Sequence, residues 1–148
     1  MRIEVLESAF DPWREVFEQE SSLSPGSFGA TAVFVGTMRD MSEGNTVTQM
    51  TLEHYAGMTE GHLSQLAQQV QADHEILDIV ILHRVGTITP GDPIVLVGVW
   101  SEHRAEAFEA CEKIVEYLKS QAPFWKKERL SDGADLSLIH ISEPTRPY

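Results

Sequence analysis

Two long apolar runs rich in β-branched residues, 76–85 and 94–100, stand either side of Thr89-Pro90-Gly91-Asp92. Such runs with a Pro-Gly turn signal between them read as the two strands of a hairpin. The second run passes into a helical pattern from Ser101 to about Gln121. Its expected buried stripe is Ala107, Phe108, Cys111, Ile114, Val115 and Leu118. Pro123 stops that helix, because proline lacks the amide hydrogen and clashes with the preceding turn. The rest of the chain has to fold around this strand-turn-strand-helix unit.

Upstream, residues 2–6 alternate weakly and read as a first strand. Asp11-Pro12 is a helix start, an N-cap side chain followed by proline at the first helical position. Phe10, Trp13 and Phe17 mark one face of that short helix. A Ser/Gly/Pro loop fills 21–29, and the apolar run 30–35 reads as a buried strand. It ends in Gly36-Thr37-Met38-Arg39, with a polar loop through Gly44-Asn45. Residues 47–55 form the next strand, antiparallel to 30–35 if that loop is a hairpin. After Gly57, Leu63, Leu66, Ala67 and Val70 repeat at helical spacing. The order β-α-β-β-α-β-β-α-β predicts an α+β fold: one two-layer domain with a mainly antiparallel sheet and three helices. The 148 residues, with no linker or internal repeat, suit one core.

Charge narrows the function. A formal net charge of −12 argues against general nucleic-acid binding. Residues 1–100 hold four basic side chains, Arg2, Arg14, Arg39 and Arg84, against fourteen acidic ones. From Lys119 to Arg129 there are four basic side chains and one acid, Glu128. A local positive site on an acidic protein points to a small anionic ligand. No apolar run reaches the roughly 20 residues that span a bilayer. No basic and apolar secretory leader opens the sequence. The single Cys111 excludes an internal disulfide and fits a reducing, cytoplasmic setting. No Cys/His cluster has zinc-like spacing.

Lys119 and Lys126 flank the helix break, with Phe124 and Trp125 beside the second. A lysine against aromatic surface can lose hydration and become a nucleophile or acid–base group. It can equally be a solvated tip at a helix C-terminus, where positive charge suits the dipole. His103-Arg104 opens the third helix, where free amides favour an anion and cationic side chains add to them. Basic residues there oppose the dipole, so a ligand is the better reason for them. Arg39 sits where a strand gives way to a loop, a common place for binding residues, or for an ordinary surface arginine. His54, His62, His74 and His83 are isolated and read as structural or solvent-facing. Glu53 and His54 are adjacent in a strand and point to opposite faces, so they are discounted as an acid–base pair.

Several blocks in order give these residues a common context. They are Val35-Gly36-Thr37-Met38-Arg39-Asp40, Leu52-Glu53-His54-Tyr55-Ala56-Gly57-Met58-Thr59, His83-Arg84-Val85-Gly86, Pro90-Gly91-Asp92, His103-Arg104, and Tyr117-Leu118-Lys119 through Pro123-Phe124-Trp125-Lys126-Lys127-Glu128. The ordered set resembles the catalytic (large) subunit of molybdopterin synthase, the MoaE family, over roughly residues 1–130. The resemblance implies a MoaE-like α/β-hammerhead fold and sulfur transfer. The family turns cyclic pyranopterin monophosphate (precursor Z) into molybdopterin, taking sulfur from the C-terminal Gly-Gly thiocarboxylate of a small ubiquitin-like, MoaD-like subunit. Carried over by position, Arg39, His103 and Arg104 would hold the substrate and its phosphate. Lys119 would be the principal catalytic lysine. Lys126, also catalytic, would line the pocket with Lys127 and Glu128. No metal or organic cofactor is implied. The alternatives are a non-catalytic binder of a ubiquitin-like Gly-Gly tail and a phosphate-binding regulator using Arg39, His103 and Arg104 alone.

Two expectations follow for the architecture. The family domain is expected over 1–135, truncated at its C-terminus. Residues 136–148 read as a non-native tail, resembling translated adapter read-through. Within it, residues 137–148 are expected to make few core contacts and no strand pairing. His103 and Lys119 lie 16 residues apart on one helical pattern, about 24 Å at 1.5 Å per residue. If both bind one small substrate they must come from different chains, which implies a homodimer with composite pockets and, with the small subunit, a heterotetramer.

Overall fold

The computed structural model describes residues 1–42, 44–133 and 139–140. In chain order the elements are β1 (Arg2–Leu6), α1 (Pro12–Ser21), β2 (Ala30–Thr37), β3 (Met41–Ser42), β4 (Asn45–His54) and α2 (Met58–His74). There follow β5 (Ile76–Arg84), β6 (Gly86–Ile88), β7 (Pro93–Ser101), α3 (Arg104–Ser120), β8 (Phe124–Leu130) and β9 (Ile139–His140). The fold is α+β with three helices, as the pattern predicts.

The apolar hairpin forms the centre. β5 and β7 run antiparallel, with Ile81 opposite Val97. β2 adds antiparallel to the far edge of β7, and β1 adds parallel to β5, giving the order β1-β5-β7-β2. The turn between β5 and β7 closes on Asp92, whose carboxylate takes the Thr89 amide at 3.1 Å, the Thr89 hydroxyl at 3.0 Å and Arg84 at 3.2 Å. The Thr89 amide, ahead of the other partners, holds the Asp92 carboxyl below its ordinary pKa. Alternation along β5 and β7 buries both faces. Ile79, Ile81, Val95, Val97 and Val99 join the core that takes in α2 and α3. Val80, Leu82, Leu96 and Trp100 meet Phe10, Val16, Leu23 and Phe28 on the other side. Gly98 makes room for that second core, since a Cβ there would lie 2.7 Å from Val80 Cγ1 and 3.1 Å from Trp100 Cη2.

Four expectations need correction. First, β4 is not the hairpin partner of β2. β4 belongs to a second sheet, paired with β3, β6 and β8, while β2 pairs with β7. The segment between turns away, its Met38 amide donating to Asp92 O and the Val47 amide donating to Asp40 O. Second, Phe108 is 66% exposed. The buried face of α3 runs through Ala107, Ala110, Cys111, Ile114, Val115 and Leu118. Phe108 sits one position round the helix, on the side of Arg104. Third, Phe10, Trp13 and Phe17 do not act as one face: Phe10 packs on the second core, while the other two look outward. Trp13 is 64% and Phe17 71% exposed, while Val16 packs inward. Asp11 caps this helix as expected, accepting from the amides of Trp13 and Arg14. Fourth, the tail does pair. Ile139 and His140 form a two-residue strand against Lys126 and Trp125 of β8. Without β9, that side of β8 would be an open sheet edge with free backbone groups. The remaining expectations for residues 134–138 and 141–148 lie outside the described residues.

Candidate functional site

The second sheet carries the lysine-rich strand. β8 alternates Phe124, Lys126 and Glu128 inward with Lys127 and Arg129 outward. Its ladder with β4 sets Phe124 opposite His54, Lys126 opposite Leu52 and Glu128 opposite Met50. Leu52 and Met50 are each 2% exposed, so the two charged side chains enter an apolar face. Lys126 is 1% exposed, with Nζ 3.2 Å from Glu128 Oε1. The same oxygen accepts the Ser42 hydroxyl at 3.0 Å. Lys126 Nζ meets no partner at hydrogen-bonding geometry, so its contact with Glu128 is a through-space ion pair. Burying two charges is costly, and their mutual attraction offsets that only while both are present.

Lys119 occupies the last turn of α3, where positive charge suits the helix dipole. It is half-buried, and Nζ stands 5.8 Å from the centre of the Phe34 ring on β2. That is cation–π range, and the ring replaces part of the ammonium's hydration. Between the two lysines the chain turns through Ala122, Pro123 and Phe124, all buried. The Ala122 amide closes the helix end on Tyr117 O at 3.1 Å. Arg39 is exposed in the segment between β2 and β3. It lies three residues before Ser42, and the Ser42–Glu128 contact brings this segment to the Lys126 strand.

Not every expected residue joins this group. Lys127 points to the opposite face of β8 from Lys126 and Glu128, beside a small surface hollow formed with Gln49, Thr51 and Arg129. His103 and Arg104 are exposed at the far end of the 17-residue α3. One chain therefore does not bring them to Lys119. The hollow of about 300 Å³ beside His103 is lined by Glu75, Glu102 and Glu106, which oppose an anion there. A cavity of about 640 Å³ lies between α1 and the ends of β2 and β7, and holds none of these residues.

Two aromatic residues lend structure to the site. Phe34 was not distinguishable in the sequence, since it sits inside an apolar strand and its cation arrives from α3. Phe124 stacks on His83 at 3.9 Å between ring centres and 17° between planes. His83 is fully buried, with Nδ1 2.9 Å from Arg84 O. Burial pushes its pKa down to about 4, helped by the charge of His54 and opposed by the Arg84 carbonyl. His83 is thus a neutral core residue, as expected for an isolated histidine. Burial also pushes the Cys111 thiol up to about 11, as for an inert structural cysteine. Among the described residues no three His, Cys, Asp or Glu side chains are grouped to hold a metal ion. No helix among them is long and apolar enough to cross a membrane.

The chain is similar to known proteins along most of its length. The family model described as MoaE protein matches residues 8–121. A molybdopterin synthase catalytic subunit from Ralstonia nicotianae is 47% identical over 134 residues, 89% of this chain and 74% of its own length. Another, from Pseudomonas aeruginosa, is 45% identical over 135 residues, 90% of this chain and 87% of its own. Among solved structures, the molybdopterin biosynthesis MoaE protein from Burkholderia ambifaria superposes with a TM-score of 0.79 at 39% identity, covering 95% of this chain and 89% of that one.

Proposed function

The chain belongs to the MoaE family, and from that premise we propose that it is the catalytic subunit of a molybdopterin synthase. It moves sulfur from the C-terminal thiocarboxylate of a small ubiquitin-like subunit onto cyclic pyranopterin monophosphate, building the dithiolene of molybdopterin. The reaction belongs in the cytoplasm. The observation that carries this reading is the pair of lysines on either side of the α3–β8 turn, one over an aromatic ring and one buried beside a carboxylate.

Lys119 is the principal catalytic group. The thiocarboxylate sulfur bonds a pterin side-chain carbon as an oxygen leaves that carbon; water then attacks the resulting thioester carbonyl, the acyl–sulfur bond breaks and the small subunit departs as a carboxylate. An ammonium held over an apolar ring can stabilise the negative charge that collects on the carbonyl oxygen and deliver a proton to the leaving group. Lys126, balanced by Glu128, supplies a second cation for the pterin. Arg39 meets the substrate phosphate from the loop side.

His103 and Arg104 complete the pocket from a second copy of the chain. The length of α3 keeps them about 24 Å from Lys119 in their own chain. Phe108 lies one turn after Arg104 on the same side of α3 and is 66% exposed, an apolar side chain suited to packing against that copy. The active unit is then a homodimer with two shared pockets, and a heterotetramer with two small subunits.

The test is direct. Purified chain, thiocarboxylated small subunit and precursor Z are combined and the dithiolene product is measured. Product formation with loss of the thiocarboxylate is expected. Binding of the Gly-Gly tail with no product would leave a non-catalytic binder.

A further inference from the structure

We propose that Ser42 is a positioning residue for Lys126, acting through Glu128. Glu128 Oε1 stands between them, 3.0 Å from Ser42 Oγ and 3.2 Å from Lys126 Nζ. A lysine ammonium is a point charge on a flexible stem, and an ion pair alone gives it little direction. Its Nζ has no hydrogen-bond partner among the described residues. The resting place of the ammonium is therefore set by where the carboxylate points. A hydroxyl donor is directional and fixes that carboxylate. The neighbours opposite them on the ladder, Leu52 and Met50, are apolar and cannot do so.

Ser42 has a second consequence. It comes from β3, which holds to β4 by only two residue pairs, Met41 with Thr46 and Ser42 with Asn45. The Ser42 hydroxyl ties this short strand, and the Arg39 segment before it, to β8. Lys126 is 1% exposed while the tie is made. Loosening the tie frees the Glu128 carboxylate and, with it, the ammonium that it holds inside, so the Ser42 contact bears on both the direction and the cover of Lys126. The catalytic consequence rests on the function proposed above. The cover does not, and can be measured without any substrate.

The full-length chain is treated with an amine-acylating ester, and modification of each lysine is followed by peptide mass spectrometry. Lys127 is the internal reference, because it neighbours Lys126 on the strand and is exposed. In the wild-type chain Lys126 should react far more slowly than Lys127. Ser42→Ala should raise the Lys126-to-Lys127 ratio about tenfold, the scale of one hydrogen bond to a charged group. Ser42→Thr, which keeps the hydroxyl, should hold the wild-type ratio. In the synthase assay Ser42→Ala should lower kcat several-fold with KM within about twofold, and Ser42→Thr should restore it. An unchanged labelling ratio in Ser42→Ala would overturn the proposal. So would an equal rise in Ser42→Thr. A wild-type chain with the expected labelling but no synthase activity would support the contact and remove the functional reading instead.

Discussion

Lys119 holds its charge over the Phe34 ring at the end of a helix and is half-buried; in the proposed function it is the principal catalytic group. Lys119→Ala should abolish sulfur transfer and leave the melting temperature within a few degrees of wild type, because a half-exposed cation adds little to stability. Normal turnover by that variant would remove the lysine from the mechanism. His83 behaves in the opposite way. Its folded pKa of about 4 lies below the ordinary 6.5, so between those values the unfolded chain binds the extra proton. Its contribution is complete above that window and is lost as pH falls through it, about 2 kcal/mol between pH 7 and pH 5. Denaturant unfolding at the two pH values should show this loss, and His83→Phe should remove most of it. An equal pH dependence in both chains would place the acid sensitivity elsewhere. At this scale the sequence showed the cations but not what they touch. Lys119 and Lys126 stood out because local charge reverses in an acidic chain. Ser42 is separated from Glu128 by 86 residues, and no local pattern marks so distant a partner.

At the scale of elements, legibility followed the range of the forces involved. The β5–β7 hairpin was readable because its periodicity and turn chemistry are both local. The sheet membership of β4 was not, because its long partner β8 is drawn from the far end of the chain. Phe108 was misplaced for a different reason. It borders the apolar stripe of α3, where a shift of one position decides between core and surface. The tight fit of Gly98 gives a test of the hairpin core. Gly98→Ala would push a methyl to 2.7 Å from Val80 Cγ1 and against the Trp100 ring. Overpacking of this kind should cost about 1–3 kcal/mol, seen as a lower denaturant midpoint. A neutral substitution would mean that Val80 and Trp100 are both free to shift.

At the scale of the whole molecule, the question is whether one chain or two make the site. α3 runs between the two groups of expected ligands, with Lys119 in its last turn and His103-Arg104 at its start. The chain alone leaves Arg104 and Phe108 exposed on one side of that helix and leaves His103 among glutamates. In the proposed homodimer a second copy supplies what each pocket lacks. The measurement that bears on this most directly mixes two inactive chains, Lys119→Ala and Arg104→Ala, lets them exchange subunits, and assays dithiolene formation beside the wild type. A mixed dimer has one pocket with both residues intact and one with neither. Random exchange should therefore restore about a quarter of wild-type activity. No recovery, with subunit exchange demonstrated, would contradict the shared site.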